Sequence, residues 1–141
     1  MTQVDSKSGE VNSTYCRAKG AKDEYVVLSF YKWIQQLGWH EVILQGDSEN
    51  ALMDVLNSVK NMRTSPTQVR RTPKGSKGSL GLAEVMHYSV ESQIRTMKLS
   101  YERHHPGDGL KPGHALAPWL ARHAGWLLVR FQQKTYGRAV Y

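Results

Sequence analysis

Apolar residues recur at three- and four-residue steps in four stretches of the chain, which is the spacing of one face of an α-helix. The pattern predicts helices over residues 22–37, 50–60, 82–101 and 115–131. Gly38 follows the first of these stretches and suits the left-handed position at which many helices end. Each predicted helix has one apolar stripe, so we expect each to pack on a core.

Shorter apolar runs bounded by turn residues predict strands. Residues 2–4 and 11–17 flank the turn 5–9 and form a hairpin, because Asp and Ser start turns and Gly tolerates positive φ. The run 42–45 is apolar without alternation, which is typical of a strand buried on both faces of a parallel sheet. Residues 67–70 form a further short strand. Strands and helices thus mix along the chain, and the pattern predicts an α/β fold.

The last predicted helix has large side chains on both sides of an Ala/Gly-rich middle. We expect this region to pack on the core. The large side chains are Leu116, Trp119, Leu120, His123, Leu127 and Val129.

The chain has 141 residues, which fits one domain, and a net charge of +7. Such a positive charge favours a polyanionic partner. No segment combines a segregated basic face with bulky apolar anchors, so a membrane is not expected as partner. The single cysteine, Cys16, excludes an internal disulfide and fits a reducing compartment. Without a signal peptide or a long apolar run, we expect a nuclear or cytoplasmic chain that is not secreted.

Two carboxylates are candidate ligands of a metal ion. Asp47 follows the apolar run 42–45, and Glu84 lies at the start of the helix over 82–101, with 36 residues between them. Asp before a helix is also a good N-cap, and a helical Glu is often simply solvated. Ligands of α/β sheets gather at the carboxyl ends of strands, however. We therefore favour Asp47 and Glu84 as ligands of Mg²⁺, a cation that prefers oxygen donors.

Between residues 55 and 83 the chain has six cations and no carboxylate. A charge run is often only a solvated face, but this one lies between the two candidate metal ligands, where a phosphate backbone would lie. The glycines of residues 73–81 match neither a Walker loop nor a dinucleotide-binding loop. A loop that closes on DNA explains them better. The six cations are Lys60, Arg63, Arg70, Arg71, Lys74 and Lys77.

The segments around both carboxylates resemble the second and third catalytic blocks of retrovirus-type integrase cores from retrotransposon polyproteins. LGW at 37–39 and VILQGDSENA at 42–51 resemble the second block, and SKGSLGLAE at 76–84 with QIRTMK at 93–98 resembles the third. PWLARHA and YGR, close to the end of the chain, also fit this family. The likeness covers nearly the whole of residues 1–141.

The resemblance implies a ribonuclease-H-like three-layer fold, in which helices flank a mixed sheet. That family holds Mg²⁺ or Mn²⁺ with Asp, Asp and Glu, and it cuts and joins double-stranded DNA. Asp47 and Glu84 match its second and third carboxylates. The first Asp belongs to the central strand, which we expect upstream of Met1, so that residues 1–141 form a partial core. Asp5 then matches a turn aspartate and not the catalytic one.

The resemblance and the charge run together predict the contacts with DNA. The chain departs from the family at Lys77, Ser79 and Leu80 of the loop, and at Tyr88 and Glu91, where cations are usual. The predicted nucleic-acid contacts are Arg70, Arg71, Lys74, Lys77, Tyr88 and Arg95.

We therefore expect a partial integrase core for Mg²⁺-dependent polynucleotidyl transfer in DNA integration, without deciding whether residues 1–141 alone are an enzyme. Two alternatives stay open. One is a catalytically dead remnant that binds nucleic acid, and the other is a module that pairs integrase subunits as a homo-oligomer through its last helix. The histidines at 104, 105, 114 and 123 and Cys16 fit no common zinc template.

Overall fold

The computed structural model describes residues 1–73, 80–111 and 113–132, whose secondary structure is mixed α/β. Contacts divide the chain into two compact units, Cys16–Gly81 and a second one that combines Met1–Tyr15 with Leu82–Tyr141. The described elements are, in chain order, β1 (Thr2–Val4), β2 (Val11–Ser13), a 3-10 turn (Gly20–Lys22), α1 (Glu24–Leu37), β3 (Val42–Gly46), α2 (Asn50–Met62), β4 (Thr67–Arg71), α3 (Gly81–His104) and α4 (Ala117–Phe131).

The hairpin predicted at the start of the chain is present. Strands β1 and β2 pair antiparallel with Val4 opposite Val11. The Asp5 carboxylate closes the turn by accepting a hydrogen bond from the Ser8 N–H at 3.0 Å. The second strand is shorter than predicted and ends at Ser13, because β1 has only three residues to pair with.

Helix α4 packs on β2 through its smallest residues. Gly125 approaches the strand so closely that a Cβ atom there would lie 3.3 Å from the Ser13 Cβ. Leu120 is buried, as expected, but Trp119 is 54% exposed. The prediction that large side chains of this helix share the core is therefore wrong for Trp119. The buried core of this unit consists of Val11, Met86, Val90, Ala124 and Val129.

In the other unit, α1 ends as its sequence predicts. Gly38 has φ 72°, in the left-handed region, and its N–H donates to the Gln35 carbonyl oxygen at 3.1 Å. The helix begins at Glu24, later than predicted, because Gly20–Lys22 form the 3-10 turn before it. The residues of α1 that are buried are Val26, Val27, Ser29, Phe30, Trp33 and Ile34.

Strands β3 and β4 pair in parallel and are linked by α2, so this part of the chain is a β–α–β unit. The parallel pairing agrees with the prediction from the apolar run. The expected burial of both faces is wrong, because Ile43 is 54% exposed whereas Leu44 is buried. A Cβ atom on Gly46 would lie 2.8 Å from the Leu52 side chain, so glycine allows α2 to pack closely on the end of β3.

Candidate functional site

Asp47 is the first residue after β3, at the carboxyl end of the parallel pair. Its side chain is exposed, and its Oδ1 accepts a hydrogen bond from the Ser48 N–H at 2.6 Å. Asp47 does not cap α2, because the N-cap residue of this helix is Glu49 and no side chain makes a capping hydrogen bond there. The Asp47 carboxylate is therefore held against its own loop and open to solvent.

The loops that follow β3 and β4 are joined to each other. The Thr72 N–H donates to the Gly46 carbonyl oxygen at 2.9 Å, and the Ser48 hydroxyl donates to the Thr72 carbonyl oxygen at 3.1 Å. Thr72 is itself buried, and its Oγ1 has no hydrogen-bond partner in the described structure. The backbone on both sides of Asp47 is thus held by the end of β4.

Two of the predicted nucleic-acid contacts lie at the same end of this sheet. Arg70 and Arg71 are opposite Gln45 and Gly46 in the parallel register, and both arginines are exposed. Successive side chains of a strand point to opposite faces. The two guanidinium groups therefore place positive charge on both faces of the sheet beside Asp47.

Glu84, Tyr88 and Arg95 lie on α3. Glu84 is exposed in the first turn of α3, and Tyr88, one turn later, is 70% exposed. Arg95 donates to the Glu91 carboxylate at 3.1 Å, which reduces the positive charge that it presents. The predicted contacts Lys74 and Lys77 lie outside the described residues.

Asp47 and Glu84 belong to different units of the chain, and their convergence on one cation stays a prediction. Across residues 1–73, 80–111 and 113–132, no group of three or more His, Cys, Asp or Glu side chains could hold a metal ion. The chemistry of the two carboxylates nevertheless suits a hard divalent cation, because both are exposed oxygen donors.

Arg63, one of the six cations between residues 55 and 83, has a structural role at the opposite end of the sheet. Its guanidinium donates to the carbonyl oxygens of Trp39 and His40 at 3.2 and 3.1 Å and to the Thr67 hydroxyl at 2.8 Å. These bonds join the chain before β3 to the start of β4. An open cavity of about 330 Å³, lined in part by Tyr31, lies beside this guanidinium.

A row of planar side chains, which was not predicted from the sequence, lies on the exposed side of α4. The rings of Trp119 and His123 stack with centroids 4.5 Å apart and planes 16° apart. His123 and Trp126 stack at 5.3 Å and 13°, and the Arg130 guanidinium carbon is 4.6 Å from the Trp126 centroid. We call these four residues the α4 ring column. Their four-, three- and four-residue steps, one stripe of a helix, were the available signal.

None of the helices in the described part of the chain is long and apolar enough to span a membrane. A scan against models of protein families found no match to this chain, and a search of curated proteins found none either.

Proposed function

We propose that the chain is part of a retrovirus-type integrase catalytic core with a ribonuclease-H-like fold, and that it binds double-stranded DNA for polynucleotidyl transfer. The observation that carries the proposal is the position of Asp47. Asp47 directly follows the first strand of a parallel β–α–β unit, at the carboxyl end of the strands, where ligands of α/β sheets collect. The exposed Arg70 and Arg71 lie at the same end of the strands, where their positive charge suits a phosphate backbone.

The proposed metal ligands are the carboxylates of Asp47 and Glu84. Asp47 and Glu84 would each offer a carboxylate oxygen to Mg²⁺ or Mn²⁺. A bound divalent cation supplies Lewis-acid stabilisation of charge on the phosphate and of the attacking oxygen. The chain's own contribution is positional, because the hydrogen bonds around Ser48 and Thr72 hold the backbone beside Asp47.

The proposed site can be tested by iron-directed backbone cleavage, which does not require catalytic activity. Fe²⁺ is added in place of Mg²⁺, and ascorbate with peroxide generates radicals that cut the polypeptide close to the bound iron. If Asp47 and Glu84 share one cation, fragments should end near residue 47 and near residue 84 in the same sample. Excess Mg²⁺ should suppress both cuts together, and the fragment ends are read by mass spectrometry.

Single substitutions show whether the two carboxylates act on one ion. Asp47→Asn should abolish the cut near residue 84 as well as the one near residue 47. Glu84→Gln should likewise abolish the cut near residue 47 as well as the one near residue 84. Glu49→Gln is the matched control, because Glu49 is exposed close to Asp47 but pairs with Lys19 at 3.1 Å. Cuts at one position only, or cuts that survive both substitutions, would contradict the shared site. Duplex binding without any iron-directed cut would favour the non-catalytic remnant.

A further inference from the structure

The α4 ring column lies on the side of α4 away from the core. Trp119 is 54% exposed and Trp126 is 42% exposed, whereas Leu120 and Ala124 are buried. His123 stacks on the Trp119 ring, and Trp119 still has about half of its surface open to solvent. The column can therefore accept another planar group at its Trp119 end.

The charge of α4 limits what that planar group can belong to. Residues Ala117–Phe131 include Arg122 and Arg130 and no Asp or Glu, within a chain of net charge +7. Arg130 is already placed against the Trp126 ring of the column. A partner that combines negative charge with flat aromatic groups fits this surface, and nucleic acid has both.

The need for a base to stack on Trp119 favours single-stranded nucleic acid over a duplex. In a duplex the faces of the bases are covered by neighbouring bases, so an indole cannot reach them without unstacking. Bases of a single strand are accessible, and proteins bind them by stacking on aromatic side chains beside cations. We propose that the α4 ring column binds single-stranded nucleic acid, with one base stacked on Trp119 and the adjacent phosphates near Arg122 and Arg130.

Two other occupants are less consistent with α4. A membrane-bound helix inserts a continuous apolar face, but the aliphatic and small residues of α4 are directed to the core, including Leu120, Ala121 and Ala124. A second copy of the chain would bring the same arginines together without a carboxylate on either helix. The single-strand site does not rest on the proposed integrase function, because none of its residues belongs to the predicted duplex contacts.

The test is a titration of the whole chain with a single-stranded oligothymidylate, followed by tryptophan fluorescence. We expect quenching and saturable binding. Trp119→Ala should weaken the affinity about tenfold, which corresponds to about 1.4 kcal/mol, because the ring on which one base stacks is lost. Trp119→Phe should retain most of the affinity, since a flat ring remains. Tyr25→Ala is the matched control, an aromatic residue of the other unit that is 50% exposed and should leave binding unchanged.

A crossed comparison separates this site from the duplex contacts. Arg70→Ala with Arg71→Ala should weaken binding to duplex DNA and leave the oligothymidylate affinity unchanged, while Trp119→Ala should do the opposite. Equal oligothymidylate affinity of Trp119→Ala and the unaltered chain would overturn the proposal. It would also be overturned if the tryptophans respond only to anionic lipid vesicles, or if Trp119→Ala converts a dimer to a monomer while the unaltered chain does not bind the oligonucleotide.

Discussion

The hydroxyl of Ser48 donates a hydrogen bond to the backbone carbonyl oxygen of Thr72 at 3.1 Å. Ser48 follows Asp47, and Thr72 follows the last residue of β4, so this bond joins the two loops at the carboxyl end of the sheet. The Thr72 N–H extends the parallel ladder by one step through its bond to Gly46. The position of Asp47 therefore depends on β4 as well as on its own strand.

Thr72→Val should raise the free energy of unfolding. The Thr72 Oγ1 is buried without a partner in the described structure, and such a hydroxyl costs about 1–3 kcal/mol relative to a satisfied one. Valine has nearly the same shape and removes that cost, so we expect a gain of about 1 kcal/mol, measured by urea denaturation at constant m-value.

Thr14→Val is the control for this substitution and should have the opposite sign. Thr14 is also buried, but its Oγ1 is within hydrogen-bond distance of the Asn12 side-chain amide, at 3.5 Å. A loss of stability at both positions would show that the Thr72 hydroxyl has a partner in solution.

Gly125→Val should destabilise the unit that contains α4. The added side chain would meet Ser13, whose Cβ would lie 3.3 Å from the new Cβ, and overpacking of this kind costs about 1–3 kcal/mol. Gly125→Ala should be close to neutral, because the gain of about 1 kcal/mol in helix propensity opposes the same contact. The comparison of the two substitutions at the same position is the control, because both remove glycine but only valine adds atoms beyond the Cβ. Equal stability of Gly125→Val and Gly125→Ala would contradict the close approach of α4 to β2.

Most helices and strands were predictable from the sequence because their signals are local. Gly38 ends α1 as expected, and the apolar run before Asp47 forms a strand with a parallel partner. The orientation of α4 was not predictable in this way. Apolar periodicity gives weight to large residues, whereas α4 packs through Gly125 and Ala124 because β2 approaches closely, and Trp119 is left exposed.

For the candidate site, only the secondary-structure positions of its residues were predictable from the sequence. The sequence places Asp47 directly after a strand and Glu84 in the first turn of a helix, and the structure has both. The predicted sharing of one cation by Asp47 and Glu84 would depend on packing between distant segments, which the spacing along the chain does not report. The bond between Ser48 and Thr72 was missed for the same reason, because 24 positions separate these residues in the sequence.

The Tyr101 phenol should ionise at a higher pH than an ordinary tyrosine. Its hydroxyl donates to the Asp108 carboxylate at 2.5 Å, and this hydrogen bond, with burial and the negative charge of Asp108, raises the pKa of Tyr101 above its usual value of 10.0. The folded state favours the neutral phenol. Its contribution to stability is therefore present below about pH 10 and is lost as the pH rises through the raised pKa.

Ultraviolet titration of tyrosinate measures this shift. The difference between the unaltered chain and Tyr101→Phe isolates the Tyr101 transition from those of the other tyrosines. Asp108→Asn should move that transition to lower pH, because it removes the charge and weakens the hydrogen bond. A Tyr101 transition that is unchanged in Asp108→Asn would show that the contact does not persist in solution.

Binding of duplex DNA should depend on salt in proportion to the basic residues that contact phosphate. If Arg70, Arg71, Lys74 and Lys77 neutralise about four phosphates, log K should fall against log salt with a slope of about −3.6. Replacing all four by alanine should flatten that slope. The matched control replaces Arg17, Lys22, Lys32 and Lys60 by alanine, which removes the same charge from exposed positions of the same unit. If the contacts are localised beside Asp47, the control should keep the steep slope, because long-range attraction is screened within about 10 Å at 0.1 M salt. An equal decrease of the slope in both variants would mean that the overall charge of the chain attracts the DNA, and not the residues at the carboxyl end of the sheet.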